Sequence, residues 1–388
     1  MRLRRALCFL LAAATPLVAC QLVVGIEDDR FTVAPPVIPP DPASDASSEE
    51  AAVLPDLCAH RGPPARPDGG AGGDGQKFIL AVDSYVLDDV NSGFDLDGIC
   101  TCDPLDRSQG AGRATCGSPT NDALCDGDGG VDNRLAATLA PLGGIVDVSA
   151  IFNRQVACGR ETLLVVLSNY NGEANDLDVK VSVIEAFGIP DDDGGASANA
   201  GCAVQGEPPT LPPRRDGNDS WDVPPGATTP GARTEISGWV TDFHLVVDAR
   251  RSTSTVPFYF GGTLVTLSGF VMSGKLVPLG VVDGGPAFRL REATLAGRAP
   301  ARQVAIGAGQ LNLGGGYLCD VPNWSSLKAA ICDATDTVHN IGLDLTGQPC
   351  DAVSVGVRFE AIPALLGTER SRVKTTPCGS NWEMQNCP

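Results

Sequence analysis

From residue 77 onward, hydrophobic positions recur in short runs, and most of the runs keep a period of two. Phe78-Ile79-Leu80-Ala81-Val82 opens the series, and Leu163 to Leu167 forms a short continuous apolar run. Val179, Val181 and Val183 share one phase, with Lys180 and Ser182 between them. Residues 239–247 put Trp239, Thr241, Phe243, Leu245 and Val247 on one phase, which predicts a single strand. Further runs cover 263–271, 276–282, 288–295 and 353–359. Short β-branched runs bounded by Gly, Pro and Asp are what strands between tight turns require. The pattern therefore predicts a mainly β body, an antiparallel β-sandwich. Helical periodicity is rare. Leu135, Leu139 and Leu142 fall on one face behind Asp132, a candidate cap, and Trp324, Leu327 and Ile331 form a similar stripe after Asn323. Two or so short helices are expected, and both stripes read as core packing.

The runs are absent from 31–76 and thin out over 190–235. The first segment contains VAPPVIPPDPASDASSEEAA and RGPPARPDGGAGGDG. Such a composition buries too little apolar surface to offset chain entropy, so 20–76 reads as a disordered tether and 77–388 as the body. The second segment, with PDDDGG and EPPTLPPRRDG, is a long loop or a boundary between halves at 77–189 and 236–388.

The N-terminus has a different pattern. Arg2, Arg4 and Arg5 precede the uncharged apolar stretch Ala6 to Ala14, and Leu17-Val18-Ala19-Cys20 follows. A basic region, a short apolar core and a small-residue cleavage site make a secretory signal over 1–19. The final four residues resemble the lipobox of bacterial lipoproteins. That resemblance implies cleavage before Cys20 and diacylglycerol on its thiol, so the partner at this end is a membrane. Gln21 follows Cys20. It is not the Asp that retains some lipoproteins at the inner membrane, so the outer membrane or cell surface is the expected address. The body is similar to Cys-rich lipoproteins of myxobacteria, a resemblance that implies nothing about activity.

Export changes how the cysteines read. The chain has 14 Cys. Without Cys8 in the signal and Cys20 under lipid, an even set is left: Cys58, Cys100, Cys102, Cys116, Cys125, Cys158, Cys202, Cys319, Cys332, Cys350, Cys378 and Cys387. An even set in an exported chain reads as disulfides, up to about six. Cys58 is expected to pin the end of the tether to the body, and Cys100 and Cys102 to reach different partners. Cys319 with Cys332, and Cys378 with Cys387, are candidate local loops. Six cysteines fall on each side of the 190–235 segment, so each half can close on itself. A four-thiolate zinc site at Cys100, Cys102, Cys116 and Cys125 is the weaker alternative, because zinc ligands favour paired Cys two to four residues apart.

The formal net charge is −19. Such a surface repels phosphate and excludes nucleic acid as a partner. Acidic loops suit divalent cations instead. Asp126-Gly127-Asp128-Gly129-Gly130-Val131-Asp132-Asn133 offers Asp126, Asp128 and Asp132 with Asn133 as a neutral ligand, and Asp95-Leu96-Asp97-Gly98 offers two more carboxylates. Calcium takes six to eight oxygens, and Gly lets a loop wrap them. The loop departs from an EF-hand, because Gly130 stands at the fifth position and no Glu closes the set. Asp191-Asp192-Asp193-Gly194 reads as solvated loop. Gly269 to Leu276 nearly matches a phosphate-binding loop, but Leu276 stands where a hydroxyl is needed. It reads as a hairpin turn.

Catalytic signatures are few. Histidine is limited to His60, His244 and His339, with no HExxH and no Gly-x-Ser-x-Gly. The expected function is a non-enzymatic binding or envelope-scaffolding protein, with a protein or glycan partner and a candidate structural calcium site. The alternative is a carboxylate-based hydrolase acting on glycans, which two facing carboxyls in a cleft would favour.

Overall fold

The computed structural model describes residues 58–70, 72, 75–102, 115–117, 125–140, 147–190, 202, 210–229, 234–282, 285–313, 316–371, 378 and 387. The export signal, Cys20, the tether up to residue 57 and the acidic run at 191–193 lie outside them. Strand β1 (Gln76–Val86) is followed by helices α1 (Arg134–Leu139) and α2 (Val148–Ala157), then by β2 (Thr162–Tyr170) and β3 (Asp176–Ala186). Next come β4 (Ser220–Val223), β5 (Ile236–Thr241), β6 (His244–Asp248), β7 (Thr255–Phe260), β8 (Thr263–Val282) and β9 (Gly285–Pro300). Helices α3 (Ala301–Gly309) and α4 (Trp324–Asp333) precede β10 (Ala352–Pro363) and β11 (Leu365–Glu369).

The body is mainly β, antiparallel and sandwich-like. Its main sheet has nine strands in the order β6-β5-β3-β2-β1-β10-β9-β8-β7, and β6 also pairs with β8. The sheet thus curls until it meets itself, and its inner faces pack on one another. Phe78, Leu80 and Val82 of β1, Leu163, Val165 and Leu167 of β2, and Val353, Val355 and Val357 of β10 all enter one buried cluster. The alternate residues of β1 and β2 face outward. There Ala81, Leu164 and Val166 pack beneath Trp221 and Val223 of β4, which pairs in parallel with β11. A second outer contact sets Phe94 and Leu96 on Val271 of β8 and Ala296 of β9. Period-two alternation with both faces covered is why β1 and β2 read as nearly continuous apolar runs.

Several sequence expectations need correction. The alternation over 239–247 is not one strand but the hairpin β5–β6, in which Thr241 pairs with His244. Asp242 and Phe243 form the turn at φ 48° and 61°, the left-handed pair of a two-residue type I′ turn. A two-residue loop reverses the phase, so the core takes Ile236 and Val240 from β5 but Leu245 and Val247 from β6. The apparent single alternation joined the outer phase of one strand to the inner phase of the next. The stretch 269–276 is no hairpin turn either. It lies inside the 20-residue strand β8, where the register slips between Ser268 and Val271. Gly269, at φ 53°, marks a bulge. Here β8 passes from pairing with β7 (Ser268 opposite Thr255) to pairing with β6 (Val271 opposite Asp248). The runs at 263–271 and 276–282 are therefore one strand.

The two halves at 77–189 and 236–388 do not form separate sheets. β1 sits between β2 and β10, and the segment between the halves contributes β4. Among the described residues there are four short α-helices, α1 and α4 on the two stripes and α2 and α3 besides. The tether ends earlier than residue 76. Arg61 N–H donates to Gly129 O at 2.8 Å, Asp95 N–H donates to Arg61 O at 2.9 Å, and Trp239 Nε1 donates to Pro64 O at 3.2 Å. Residues 58–66 are a strap laid along the body.

The twelve cysteines form six disulfides: Cys58–Cys100, Cys102–Cys125, Cys116–Cys350, Cys158–Cys202, Cys319–Cys378 and Cys332–Cys387. Cys58 does pin the strap, and Cys100 and Cys102 take different partners. The candidate loops Cys319–Cys332 and Cys378–Cys387 are replaced by a crossed pair that ties the C-terminal residues to the segment 319–332. Cys116–Cys350 joins the two halves, so neither closes on itself. The four-thiolate zinc set is likewise consumed by disulfides.

Candidate functional site

Two acidic loops meet over the outer face of β8, β9 and β10. The first follows β1 and carries Asp95 and Asp97. The second precedes α1 and carries Asp126 and Asp132. Disulfides Cys58–Cys100 and Cys102–Cys125 brace them, and two arginines, one just after β6 and one in β9, hold the first loop by its carbonyls. Arg250 Nη1 donates to Asp95 O at 2.9 Å, while Asp248 takes its other donors. Arg298, fully buried, donates from Nη2 to Leu96 O at 3.1 Å and from Nη1 to Asp344 Oδ1 at 2.7 Å. Both guanidiniums thus grip main chain and pair with acids outside the cluster.

The carboxylates themselves converge. Asp95, Asp97 and Asp132 each offer an oxygen within 4.8 Å of the other two. Oxygens that share one calcium at 2.3–2.6 Å cannot lie more than about 5 Å apart, so this spacing fits a single ion. Main-chain donors aim each group. Asp95 Oδ1 accepts from Gly98 N at 2.6 Å, Asp97 Oδ1 from Ile99 N at 2.9 Å, Asp126 Oδ2 from Thr101 N at 2.6 Å and Asp132 Oδ2 from Leu96 N at 2.6 Å. Thr115 Oγ1 adds a bond to Asp97 Oδ2 at 3.0 Å. His60 Nδ1, on the strap, contacts Asp95 Oδ2. Among the described residues, no Lys or Arg side chain pairs with these four acids.

Burial and mutual repulsion have the expected consequence. Burial, then the Asp95 charge, pushes Asp97 up to about 7. Asp126 is raised to about 8, by burial and then the Asp97 charge. Asp132 is raised well above the usual carboxylate range by burial, with the charges of Asp97, Asp126 and Asp336 adding. Asp336, beneath the cluster, goes to about 6 through burial, against two hydrogen bonds from Ser354. A group of acids so placed has a deficit of positive charge, which protons or a cation can fill.

Three sequence candidates fall outside the converging set of Asp95, Asp97 and Asp132: Asp126, which acts on it only through its charge, Asp128 and Asn133. Asp128 is exposed at the loop tip and lies outside the carboxylate group. Asn133 is fully engaged elsewhere. Its Nδ2 donates to the carbonyls of Asp89, Ser92 and Gly356 at 3.0, 2.7 and 3.0 Å. Its Oδ1 accepts from Gly356 N at 2.9 Å and from Ala136 N at 3.3 Å. Asn133, not Asp132, is the cap of α1. Gly356 has no room for a side chain, because an added Cβ would lie 1.9 Å from Ser92 O. Asn133→Ala would leave buried polar groups of three segments unpaired and uncap α1. We expect it to lower stability by roughly 3 kcal/mol, read as a fall in the denaturant midpoint. An unchanged midpoint would remove the role assigned to Asn133. His60 was legible only as a tether residue, and no sequence signal placed it at the cluster.

The histidines form no triad. Ser268 Oγ lies 3.0 Å from His339 Nδ1 and also donates to His339 O, but Ser268 is buried. Asp351 Oδ1 accepts from the main-chain N–H of His339 at 2.7 Å, not from its ring. His244 opens β6, with Nδ1 3.2 Å from Asp242 O.

No family model, no curated protein and no solved structure matches this chain.

Proposed function

We propose that this chain is an exported, lipid-anchored binding or envelope-scaffolding protein, not an enzyme, whose body is locked by one calcium ion held by Asp95, Asp97 and Asp132, with the Asp126 charge beside them. The observation that carries the reading is the convergence of Asp95, Asp97 and Asp132, two of them buried, which have no Lys or Arg partner among the described residues. Calcium supplies two positive charges and accepts hard oxygen ligands in irregular geometry. The two ligand loops also hold the strap, since Arg61 bonds to both Gly129 and Asp95. An ion between them would fix the point where the tether joins the body.

Export and anchoring are supported by the signal-like N-terminus and by six disulfides, which belong to oxidising compartments. No helix among the described residues is long and apolar enough to cross a membrane, and in this reading acyl chains on Cys20 supply the attachment. Against the hydrolase alternative, Asp95 and Asp132 are buried, and every acid of the cluster accepts from a main-chain N–H. The described lining of the pocket between α2 and α4 includes a single carboxylate, Asp147.

Calorimetry on the purified chain tests the cation, with saturable heat from calcium expected near pH 7.5. No heat at millimolar calcium would remove it. Mass spectrometry of the membrane-extracted protein tests the anchor. An acylated N-terminal Cys20 is expected, and an unmodified Cys20 would sink that part.

A further inference from the structure

One pocket lies away from the acidic loops, between α2, the segment after α3 and the start of α4. Its volume is about 340 Å³, inside the range of roughly 300–1,000 Å³ that small-molecule sites occupy. Its walls are mostly apolar. Ile151 of α2 and Leu327 of α4 line it, together with Leu318 and Val321. Ile151, Val321 and Leu327 are only partly buried, although they pack against the core. Leu313 stands at the rim, 38% exposed. Apolar side chains lining a concavity with a few polar groups at its edge are the usual composition of a small-molecule site.

The edge carries one charged group of each sign. Asp147, at the start of α2, is engaged as its cap and accepts from Ala150 N at 2.8 Å. Arg154 lies seven residues further along the same helix and also lines the pocket. Seven residues bring the chain back nearly to the same face, about 10 Å along the axis, so the arginine stands at the opposite end of the pocket from Asp147. A guanidinium carries five N–H donors and can take a carboxylate in addition to other contacts. The first turn of α4 opens onto the pocket at Asn323, whose side chain makes no bond to the helix start. That amide and the positive end of the ten-residue helix both favour an anion.

We propose that this pocket binds a small amphipathic carboxylate. Its apolar body rests on Ile151, Leu318, Val321 and Leu327, and its carboxylate faces Arg154 and Asn323. The site shares no residue with the acidic loops, so it stands or falls independently of the calcium reading.

The test is calorimetry on the full chain with octanoate, octylamine and leucyl-leucine. Octanoate is expected to bind saturably, and octylamine at least about tenfold more weakly. Tighter binding of leucyl-leucine than of octanoate would assign the site to peptide ends, and the reverse would assign it to acyl chains. Leu327→Asp should weaken binding by about tenfold or more, and Arg154→Gln by about fivefold. If Leu327→Asp does not fold, as judged by circular dichroism, the exposed Arg154→Gln decides alone. Failure of both octanoate and the dipeptide to bind at millimolar concentration overturns the proposal. So does equal binding of acid and amine, or unchanged affinity in Arg154→Gln.

Discussion

Millimolar calcium is expected to raise the thermal midpoint of this protein by about 5 °C at pH 8 and by far less at pH 5. The size follows from mass action, since a ligand at a hundred times its dissociation constant adds about 2.7 kcal/mol. The pH dependence follows from the acids. Asp97 at about 7, Asp126 at about 8 and Asp132 all have folded values above those of an unfolded chain. Without a cation, the folded state binds more protons than the unfolded state between about pH 4 and pH 8. Their contribution to stability is therefore complete below the unfolded value near 4 and is lost as pH rises through 7 to 8. Asp89 and Asp248 are shifted down, with the opposite sign, but they act only where pH falls through the unfolded range.

Calcium must displace the protons, so its affinity should climb over the same interval and its binding should release protons to the buffer. Asp132→Asn removes one buried charge and keeps an acceptor for Leu96 N. It should be more stable than the parent at pH 8 without calcium, and it should lose the calcium shift. Melting curves at pH 5, 6.5 and 8, with calcium or with chelator, read all of this. A chelated protein whose midpoint rises steadily from pH 5 to 8, or a calcium shift retained in Asp132→Asn, would refute the site.

Replacing Cys116 and Cys350 together by Ala is expected to cost the most of any disulfide, up to about 5 kcal/mol by the loop-entropy estimate. The bond spans 234 residues, against 23 to 59 for the other five. Other disulfides already restrict the unfolded chain, so the full figure is an upper bound. There is also a local consequence. Cys116 holds residues 115–117 beside 345–350, where Gly117 N donates to Gln348 O at 2.8 Å and Leu345 N donates to Thr115 O at 2.9 Å. Thr115 in turn donates to Asp97. Loss of the bond should therefore weaken calcium binding as well as stability. Removing Cys158 and Cys202, which lie away from the acidic loops, should lower stability and leave calcium affinity unchanged. Chemical denaturation and calorimetry on the two double variants separate the effects. Equal calcium affinity in both would break the link to Asp97.

Much of the fold was legible because it depends on near neighbours. Alternation in β1, β3 and β10 and the apolar run of β2 follow from side chains that face opposite sides of a strand. The stripe of α4 follows from the helical period in the same way. Helix α2 was legible in principle, since Asp147 caps it and Val148, Phe152 and Val156 are buried four residues apart. The valines at its ends and Ile151 disguise it as a strand. The turn at Asp242 and Phe243 escaped notice because neither residue is a glycine, although both adopt the left-handed backbone that glycine favours.

The amino-acid sequence alone determined the class of the body, its even set of cysteines and the two acidic segments. Each of these is a property of composition or of spacing within a few residues. Tertiary structure alone decided which cysteines join, how the sheet closes through β6 and β8, and which acids share a site. Asp95 and Asp132 are 37 residues apart in the chain, and only the packing of both loops over β8, β9 and β10 brings their oxygens within 4.8 Å. The same packing turned Asn133 from a candidate ligand into a clasp, because its amide meets carbonyls from residues 89, 92 and 356. Contacts between distant segments are set by the burial of whole faces, and a local pattern does not encode which faces meet.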